Sequence, residues 1–361
     1  MQSKGKFGWL LLASVCLSAC ASNESPPSPP SVSENRVSAL IAASCPADTV
    51  PVPPETVNIS AERVDWAETE ERAGKAFGPL HPKAIFALTS DDARIGGLSG
   101  IDFLDDQTLI AVSDFGSLVW LSLSQDEEGI EPRARVASLR DETGGMLDSK
   151  KLTDAEGVAW TGKTLFVSFE RNHRVLGYDI TACGSAARGM SILEFDDESF
   201  GLGRAIDENS GIEALAVRGE SQLILGLESI FGGSPVGLFG ADTTEAGFTQ
   251  RLPSPELTML TGMDIVPGNG GPDRLYSLAR SYDPIRGNRI AISVTSVSDD
   301  GVFGETEQLA LFGSDVTVDN FEGIAVRAIS ETTDQIVIIS DDNFSDRQRT
   351  LIGFLDYDHG S

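Results

Sequence analysis

Three glutamates occupy the same place in a pattern that recurs along the chain. Glu156, Glu213 and Glu322 each stand directly before a small residue and an apolar run typical of a β-strand. Carboxylates held close together repel unless a cation lies between them, and oxygen ligands without cysteine or histidine suit Ca²⁺ or Mg²⁺. The pattern predicts that these three residues are catalytic and bind Ca²⁺ or another divalent cation. Alternatively, each glutamate hydrogen-bonds to backbone amides at its own strand.

A second polar series follows the next apolar run of each repeat. Its members are Asp114, Glu170 with Arg171, Glu228, Arg280, and Asp341-Asp342-Asn343. In an antiparallel pair the second strand ends where the first begins, so both series are expected on one rim. An arginine among acids offers a planar fork to a phosphate or carboxylate. The residues predicted to bind substrate are Arg171, Arg280, Asp341, Asp342 and Asn343. The arginines could instead only neutralise the acids.

Other chemistries find little support in the sequence. The chain has three histidines, and none stands in a metal-type pair. The segment Gly97-Leu98-Ser99-Gly100-Ile101 lacks the final glycine of a nucleophile elbow. Phosphate-binding and dinucleotide-binding loops are absent from the sequence. We therefore expect acid-rich rather than histidine or serine-triad chemistry.

The repeat itself predicts the fold. Five copies align on Ser99, Glu156, Glu213, Thr261 and Glu322, with spacings of 57, 57, 48 and 61 residues. Each copy leads into about four short apolar runs, except that the last has three before the chain ends. Four strands per repeat of this length indicate an all-β protein, a β-propeller of five clear blades. A sixth blade from irregular segments, or a β-sandwich, remain the alternatives.

The incomplete last repeat needs a strand from elsewhere. The run 83–88 lies ahead of the first repeat and is a good candidate, and residues 57–66 could add a further strand. Pairing strands from both ends of the chain closes the ring and removes an open edge.

The charge balance limits the possible partners. The formal net charge is -28, with 55 acidic against 27 basic side chains. Such a surface repels phosphate backbones and argues against nucleic acid as a partner. It would attract divalent cations, although solubility alone also accounts for it. We expect a monomer that takes a small anionic or ester substrate.

The first 20 residues have the pattern of a targeting segment. Lys4 and Lys6 precede a short apolar run. The tetrapeptide ending at Cys20 resembles the lipobox of bacterial lipoproteins, in which that cysteine becomes the lipidated N-terminus. The resemblance, with alanine at the next position, implies a lipid anchor on the periplasmic side of the outer membrane and no other membrane contact. An ordinary cleaved signal peptide is the alternative.

Composition divides the remainder into two parts. Residues 21–56 begin with a Pro/Ser-rich stretch and are predicted to be a tether and N-terminal extension. Residues 57–361 are predicted to form the propeller. Outside the targeting segment, the remaining cysteines are Cys45 and Cys183. Export favours a disulfide between them, worth roughly 4–5 kcal/mol for so long a loop. Two unpaired thiols are the alternative.

These motifs together resemble the phytase-like family described by an esterase-like activity of phytase. The resemblance covers roughly residues 83–357, and it is carried by Asp154-Ala155-Glu156-Gly157, Ser210-Gly211-Ile212-Glu213, Asn320-Phe321-Glu322-Gly323 and Ser340-Asp341-Asp342-Asn343-Phe344. It implies a propeller and hydrolysis of phosphoesters through acidic residues. The fourth repeat departs from the pattern, because Thr261 stands where the second, third and fifth repeats have glutamate.

Two functions follow as hypotheses. The first is a divalent-metal-dependent hydrolase of phosphoesters or related esters, lactones included, with its site on one face of the propeller axis. The second is a non-catalytic binding or scaffold propeller of the cell envelope, since a fold alone does not imply catalysis.

Overall fold

Short apolar runs separated by turns rich in Gly, Asp and Asn build five antiparallel sheets around one axis. The computed structural model describes residues 34–126, 129–195, 200, 202, 210–229, 232–240 and 247–360, and the five sheets lie within these residues. The predicted five-bladed β-propeller is confirmed. The described residues leave no separate sheet for a sixth blade, and the repeated groups of four strands exclude the sandwich. The proposed targeting segment 1–20, with Cys20, and residues 21–33 at the start of the tether lie outside the described residues.

The elements ahead of the first blade are short. They are α1 (Glu34–Ser44), β1 (Glu55–Val57), β2 (Ser60–Val64), α2 (Glu70–Phe77) and β3 (Leu80–Thr89). Helix α1 buries Val37 and Ile41 against the second blade. Thr69 is the N-cap of helix α2, and its hydroxyl accepts a hydrogen bond from the Arg72 amide. At the other end of the helix, Phe77 packs on Phe312 with a distance of 4.7 Å between ring centroids.

The first two blades follow. Blade 1 contains β4 (Leu98–Phe103), β5 (Thr108–Ser113), β6 (Ser117–Asp126) and β7 (Gly129–Ser138), with β1 added outside β7. Blade 2 contains β8 (Ala155–Trp160), β9 (Leu165–Phe169), β10 (Arg174–Tyr178) and β11 (Met190–Glu194), with helices α3 (Lys150–Thr153) before β8 and α4 (Ile180–Cys183) before β11.

The next two blades have the same order, from the axis outward. Blade 3 contains β12 (Ile212–Arg218), β13 (Gln222–Leu227), β14 (Ser234–Phe239) and β15 (Gly247–Leu252). A 3₁₀ turn at Pro255–Leu257 leads to blade 4, with β16 (Met259–Val266), β17 (Asp273–Asp283), β18 (Gly287–Val297) and β19 (Phe303–Phe312).

Blade 5 closes the ring in the way that the sequence predicts. It contains β20 (Phe321–Ala328), β21 (Thr333–Ser340) and β22 (Thr350–Asp358) from the end of the chain. The earlier strand β3 pairs with β22, with Phe86 opposite Ile352, and β2 extends the sheet beyond β3. The predicted strand at 83–88 therefore supplies the fourth strand of the last blade, and both ends of the ring share one sheet.

A disulfide links the N-terminal extension to blade 2. Cys45 and Cys183 are joined with their Cα atoms 5.6 Å apart, across a sequence separation of 138 residues. The bond ties the end of α1 to helix α4. A search of the described residues finds no helix that is both long and apolar enough to span a membrane.

The axis is filled by the inner strands rather than left open. Beneath the acidic end, residues such as Ile101, Leu215 and Ile324 leave a cavity of only about 10 Å³. Farther along, Asp102 accepts a hydrogen bond from the Trp160 amide at 2.6 Å and so ties blade 1 to blade 2. A small central void means that any ligand site at the acidic end has a closed floor.

Candidate functional site

A β-bulge at the start of every inner strand creates the recurring motif. In blade 1 the pairing passes from Leu98 opposite Ser113 directly to Gly100 opposite Val112, which leaves Ser99 unpaired. The residues left unpaired in this way are Ser99, Glu156, Glu213, Thr261 and Glu322, with Gly157 also unpaired in blade 2. A bulge re-aims the side chain of the unpaired residue. The five aligned positions of the sequence repeat are thus five bulges around one axis.

Glycine follows the bulge where neighbouring blades approach closely. A Cβ on Gly100 would lie 2.6 Å from the carbonyl oxygen of Glu156 in the next blade. A Cβ on Gly262 would lie 2.6 Å from the carbonyl oxygen of Glu322. The small residue in the motif lets the inner strands converge and brings the bulged side chains together.

A second ring of five side chains lies at the ends of the second strands. Its members are Asp114, Glu170, Glu228, Arg280 and Asp341. The second ring and four of the five bulged residues, all except Thr261, line one cleft of about 240 Å³, which we call the axial cleft. Its lining residues are Ser99, Asp114, Lys150, Asp154, Glu156, Glu170, Arg171, Glu213, Glu228, Arg280, Glu322, Asp341 and Asn343. The two polar series expected on one rim therefore meet in the axial cleft.

Asp342 is the one predicted site residue that does not line the axial cleft. One of its carboxylate oxygens accepts hydrogen bonds from the amides of Gly97 and Phe344, each at 3.0 Å. The other oxygen accepts from the Thr350 hydroxyl at 2.9 Å. The side chain is occupied in joining the β21–β22 loop to blade 1, which makes it a positioning residue.

The fourth blade departs from the others in charge. Thr261 is buried and its hydroxyl donates to the Leu278 carbonyl at 3.4 Å. The same blade supplies Arg280, whose guanidinium lies 2.7 Å from a carboxylate oxygen of Glu322 in blade 5. Among the described residues the Nε of Arg280 has no hydrogen-bond partner. Blade 4 thus contributes a cation to the axial cleft where the others contribute acids.

Two further cations lie at the blade 1–blade 2 side of the axial cleft. Lys150 and Arg171 both form ion pairs with the buried Asp154, and Lys150 also lies 2.7 Å from Asp114. Arg171 has a left-handed backbone with φ of 48°, a conformation that is uncommon outside glycine and often found at functional sites. The axial cleft holds eight carboxylates against three cations, so it remains strongly acidic.

One group of carboxylates has the spacing of a metal site. Asp154, Glu156 and Glu170 each offer an oxygen, and these atoms lie within 4.8 Å of one another. Hard oxygen donors of this kind could hold a divalent ion such as Ca²⁺. Glu156 belongs to the predicted metal set. Glu322 is instead paired with Arg280, and Glu213 approaches the group through a hydrogen bond to Glu170.

Burial and mutual repulsion raise the pKa values of Glu156, Glu170, Glu213 and Asp341 in the axial cleft. For Glu156 burial is the main cause, followed by the charges of Glu322 and Glu170, and its pKa lies well above the usual value. Burial likewise raises the pKa of Glu170 to about 7 and that of Asp341 to about 8. Burial and the charge of Glu156 raise the pKa of Glu213 well above normal, so it can donate to Glu170.

Several residues at strand ends line the axial cleft but are absent from the predicted set of site residues. Asp114, Glu170 and Glu228 stand in the second polar series, so their position beside the axis was visible in the repeat. Asp154 directly precedes the inner strand β8. Lys150 comes from helix α3, outside the repeat, and no periodic signal marks it. The predicted cleft residues Arg171, Arg280, Asp341 and Asn343 do line the axial cleft.

The chain is a β-propeller with an acid-lined cleft at one end of its axis. A family model described as "Phytase-like: Esterase-like activity of phytase" matches residues 93–344. The chain belongs to this phytase-like family. A search of curated proteins finds no match.

Solved structures with similar folds are distant. They include a glucose dehydrogenase (12% identity, 83% of this chain and 96% of that chain, TM-score 0.33), a Myxococcus xanthus glutaminyl cyclase (13%, 84% and 99%, 0.35) and the WD40 β-propeller domain of Doa1 (11%, 77% and 97%, 0.32). No conclusion about this chain follows from likenesses this distant.

Proposed function

We propose that the chain is a divalent-cation-dependent hydrolase of small phosphoesters or related esters, with the axial cleft as its active site. The observation that carries the proposal is the oxygen-only group of Asp154, Glu156 and Glu170 beside the cations Lys150 and Arg280. Membership of the phytase-like family supports the same chemistry. Carboxylates alone would repel an anionic substrate, so the cations and a bound metal ion are needed for binding.

The donor set fits a hard cation, and we propose Ca²⁺. A positive charge would relieve the raised pKa values of Glu156 and Glu170. Neither histidine nor cysteine lies among the residues of the axial cleft. When bound, such an ion would supply Lewis-acid polarisation of an ester oxygen and a lower pKa for a coordinated water.

The protein's own groups would orient the substrate and move protons. Arg280 lines the axial cleft, and its guanidinium would bind the anionic group of the substrate. Hydrolysis forms a bond from the water oxygen to phosphorus and breaks the bond to the alcohol oxygen. We assign Glu170, which lies beside Asp154 and Glu156 in the axial cleft, to take the water proton. Asp341, with a pKa of about 8, gives a proton to the departing alcohol, and its Oδ1 is held by the Asn343 amide at 2.6 Å.

Metal analysis coupled to turnover tests the proposal. Full-length protein would be purified, assayed for bound metal, and tested on phosphomonoesters, phosphodiesters, carboxyl esters and lactones with and without chelator. Glu156→Gln should lose metal and at least 100-fold in kcat/KM. The matched control is Glu305→Gln, an exposed glutamate on β19. Turnover that survives both chelation and Glu156→Gln would contradict the metal-dependent hydrolase, and an inactive, metal-free protein would favour a binding platform.

We also propose that the protein works as a monomer on the periplasmic side of the outer membrane, anchored through lipid on Cys20. The Cys45–Cys183 disulfide supports an oxidising compartment. Membrane fractionation of Cys20→Ala against the unaltered chain tests the anchor, since the variant should become soluble. Light scattering of the soluble variant tests the monomer.

A further inference from the structure

Two exposed phenylalanines stand at the mouth of the axial cleft. Phe115 is 60% exposed and Phe344 is 42% exposed, and their rings meet edge to face with centroids 4.4 Å apart. Each follows a cleft residue in sequence, because Phe115 comes after Asp114 and Phe344 after Asn343. These two rings, which we call the aromatic step, therefore form an apolar border beside an otherwise acidic cleft, between blades 5 and 1.

The backbone is built to hold the Phe344 ring in this exposed place. Asn343 and Phe344 both have left-handed backbones, with φ of 48° and 49°. A bulky residue rarely adopts this conformation unless its surroundings impose it. Here Asp342 accepts the Phe344 amide and the Gly97 amide on the same oxygen. The Phe344 ring covers Gly97, and a Cβ added to Gly97 would lie 2.4 Å from a carbon of that ring.

The aromatic step is continuous with the charged lining of the axial cleft. The Lys150 ammonium lies 5.5 Å from the centroid of the Phe115 ring and 2.7 Å from an oxygen of Asp114. A substrate group that contacts these rings would therefore lie beside Lys150, which pairs with Asp114. The axial cleft, at about 240 Å³, is smaller than the roughly 300–1,000 Å³ of pockets that enclose a drug-sized ligand. It suits the charged end of a substrate, while a larger apolar end must lie at the mouth.

We propose that Phe115 and Phe344 bind the apolar part of the substrate, so that the preferred substrates are phosphoesters of aromatic alcohols. The inference rests on the proposed function and goes further by naming the alcohol. Aromatic groups contact one another favourably in edge-to-face and offset geometries. Two phenyl rings fixed in an edge-to-face pair leave a face and an edge for a third ring.

Binding of two phosphonates that resist hydrolysis tests the proposal. 2-Phenylethylphosphonate and ethylphosphonate share the same charged end and differ in the aromatic ring. Calorimetry on full-length protein with Ca²⁺ should show the phenylethyl compound binding roughly tenfold more tightly. Phe344→Ala and, separately, Phe115→Ala should reduce that ratio to near one. The control is Ile329→Ala, a 47% exposed residue in the β20–β21 turn at the opposite face, which should keep the tenfold ratio.

The outcomes separate this inference from the proposed function. If the unaltered protein binds both phosphonates equally, or if both phenylalanine variants keep the tenfold ratio, the aromatic site is refuted while the anion site stands. If neither compound binds, the anion site and the aromatic site fall together. Circular dichroism of Phe344→Ala checks that the fold is kept, and Phe115→Ala repeats the test at a residue with an ordinary backbone.

Discussion

Arg280 of blade 4 lies 2.7 Å from Glu322 of blade 5, and this pair takes the place of a fourth inner-ring glutamate. A glutamate in place of Thr261 would bring four bulged carboxylates together at the axis. Burial lowers the pKa of Arg280, but the charges of Glu322, Glu213 and Glu228 outweigh it and raise that pKa. Blade 4 thus lacks a glutamate at Thr261 and instead supplies the cation that pairs with Glu322.

Replacing Arg280 with a neutral residue should leave the buried charge of Glu322 without its partner cation. Arg280→Met is expected to lower the free energy of unfolding by about 3 kcal/mol, because one member of a largely buried pair then remains uncompensated. Glu322→Gln in the same background should recover most of that loss. Urea denaturation of the single and double variants measures it. Equal losses in Arg280→Met and the double variant would show that the pair is not coupled.

Metal affinity should distinguish the two possible sets of ligands. The structure groups Asp154, Glu156 and Glu170, whereas the sequence repeat predicts Glu156, Glu213 and Glu322. Glu170→Gln should therefore weaken Ca²⁺ binding at least tenfold, since a direct ligand loses its charge. Glu322→Gln should change it less than threefold, because Glu322 lies outside the group of carboxylates with metal-site spacing. Calorimetric Ca²⁺ titration of both variants decides, and the reverse order would restore the ligand set predicted from sequence.

The repeat predicted the fold and the position of the site because one backbone device, the bulge, recurs with its glycine. Glu156, Glu213 and Glu322 could be placed at the axis from their common register alone. The role of Asp342 could not be foreseen, because its partner Gly97 is 245 residues away in the chain. Lys150 was missed for a similar reason, since it comes from a helix outside the repeat. Pairings between the acids and cations depend on side-chain distances that spacing does not encode.

The glycine after the bulge should be a strict requirement for blade packing. Gly100→Ala places a Cβ within 2.6 Å of the Glu156 carbonyl oxygen and 2.9 Å of the Val158 amide nitrogen. Inner strands must shift, and we expect a loss of about 1–3 kcal/mol in the free energy of unfolding. Gly74→Ala in helix α2 is the matched control, because no atom lies within 4 Å of its added Cβ. That control should gain about 0.5–1 kcal/mol. Equal stability of the two variants in urea would contradict the tight axis.

The stability of the metal-free protein should fall as pH rises. Burial raises the pKa of Glu170 to about 7 and of Asp341 to about 8, so the folded state keeps protons that the unfolded state has lost. Stability from these groups is fully present below about pH 4 and is lost as pH rises toward 8. The urea midpoint with chelator should therefore be lower at pH 8 than at pH 5.5.

Bound Ca²⁺ should stabilise the folded protein more at high pH than at low pH, because it binds the ionised carboxylates. Added Ca²⁺ is expected to raise the midpoint more at pH 8 than at pH 5.5. Glu170→Gln combined with Asp341→Asn should reduce the pH dependence, since neither replacement titrates while Glu156 and Glu213 still do. The exposed pair Glu62→Gln and Glu305→Gln is the control and should keep the slope. A slope that persists in the cleft variant and disappears in the control would place the titrating groups outside the axial cleft.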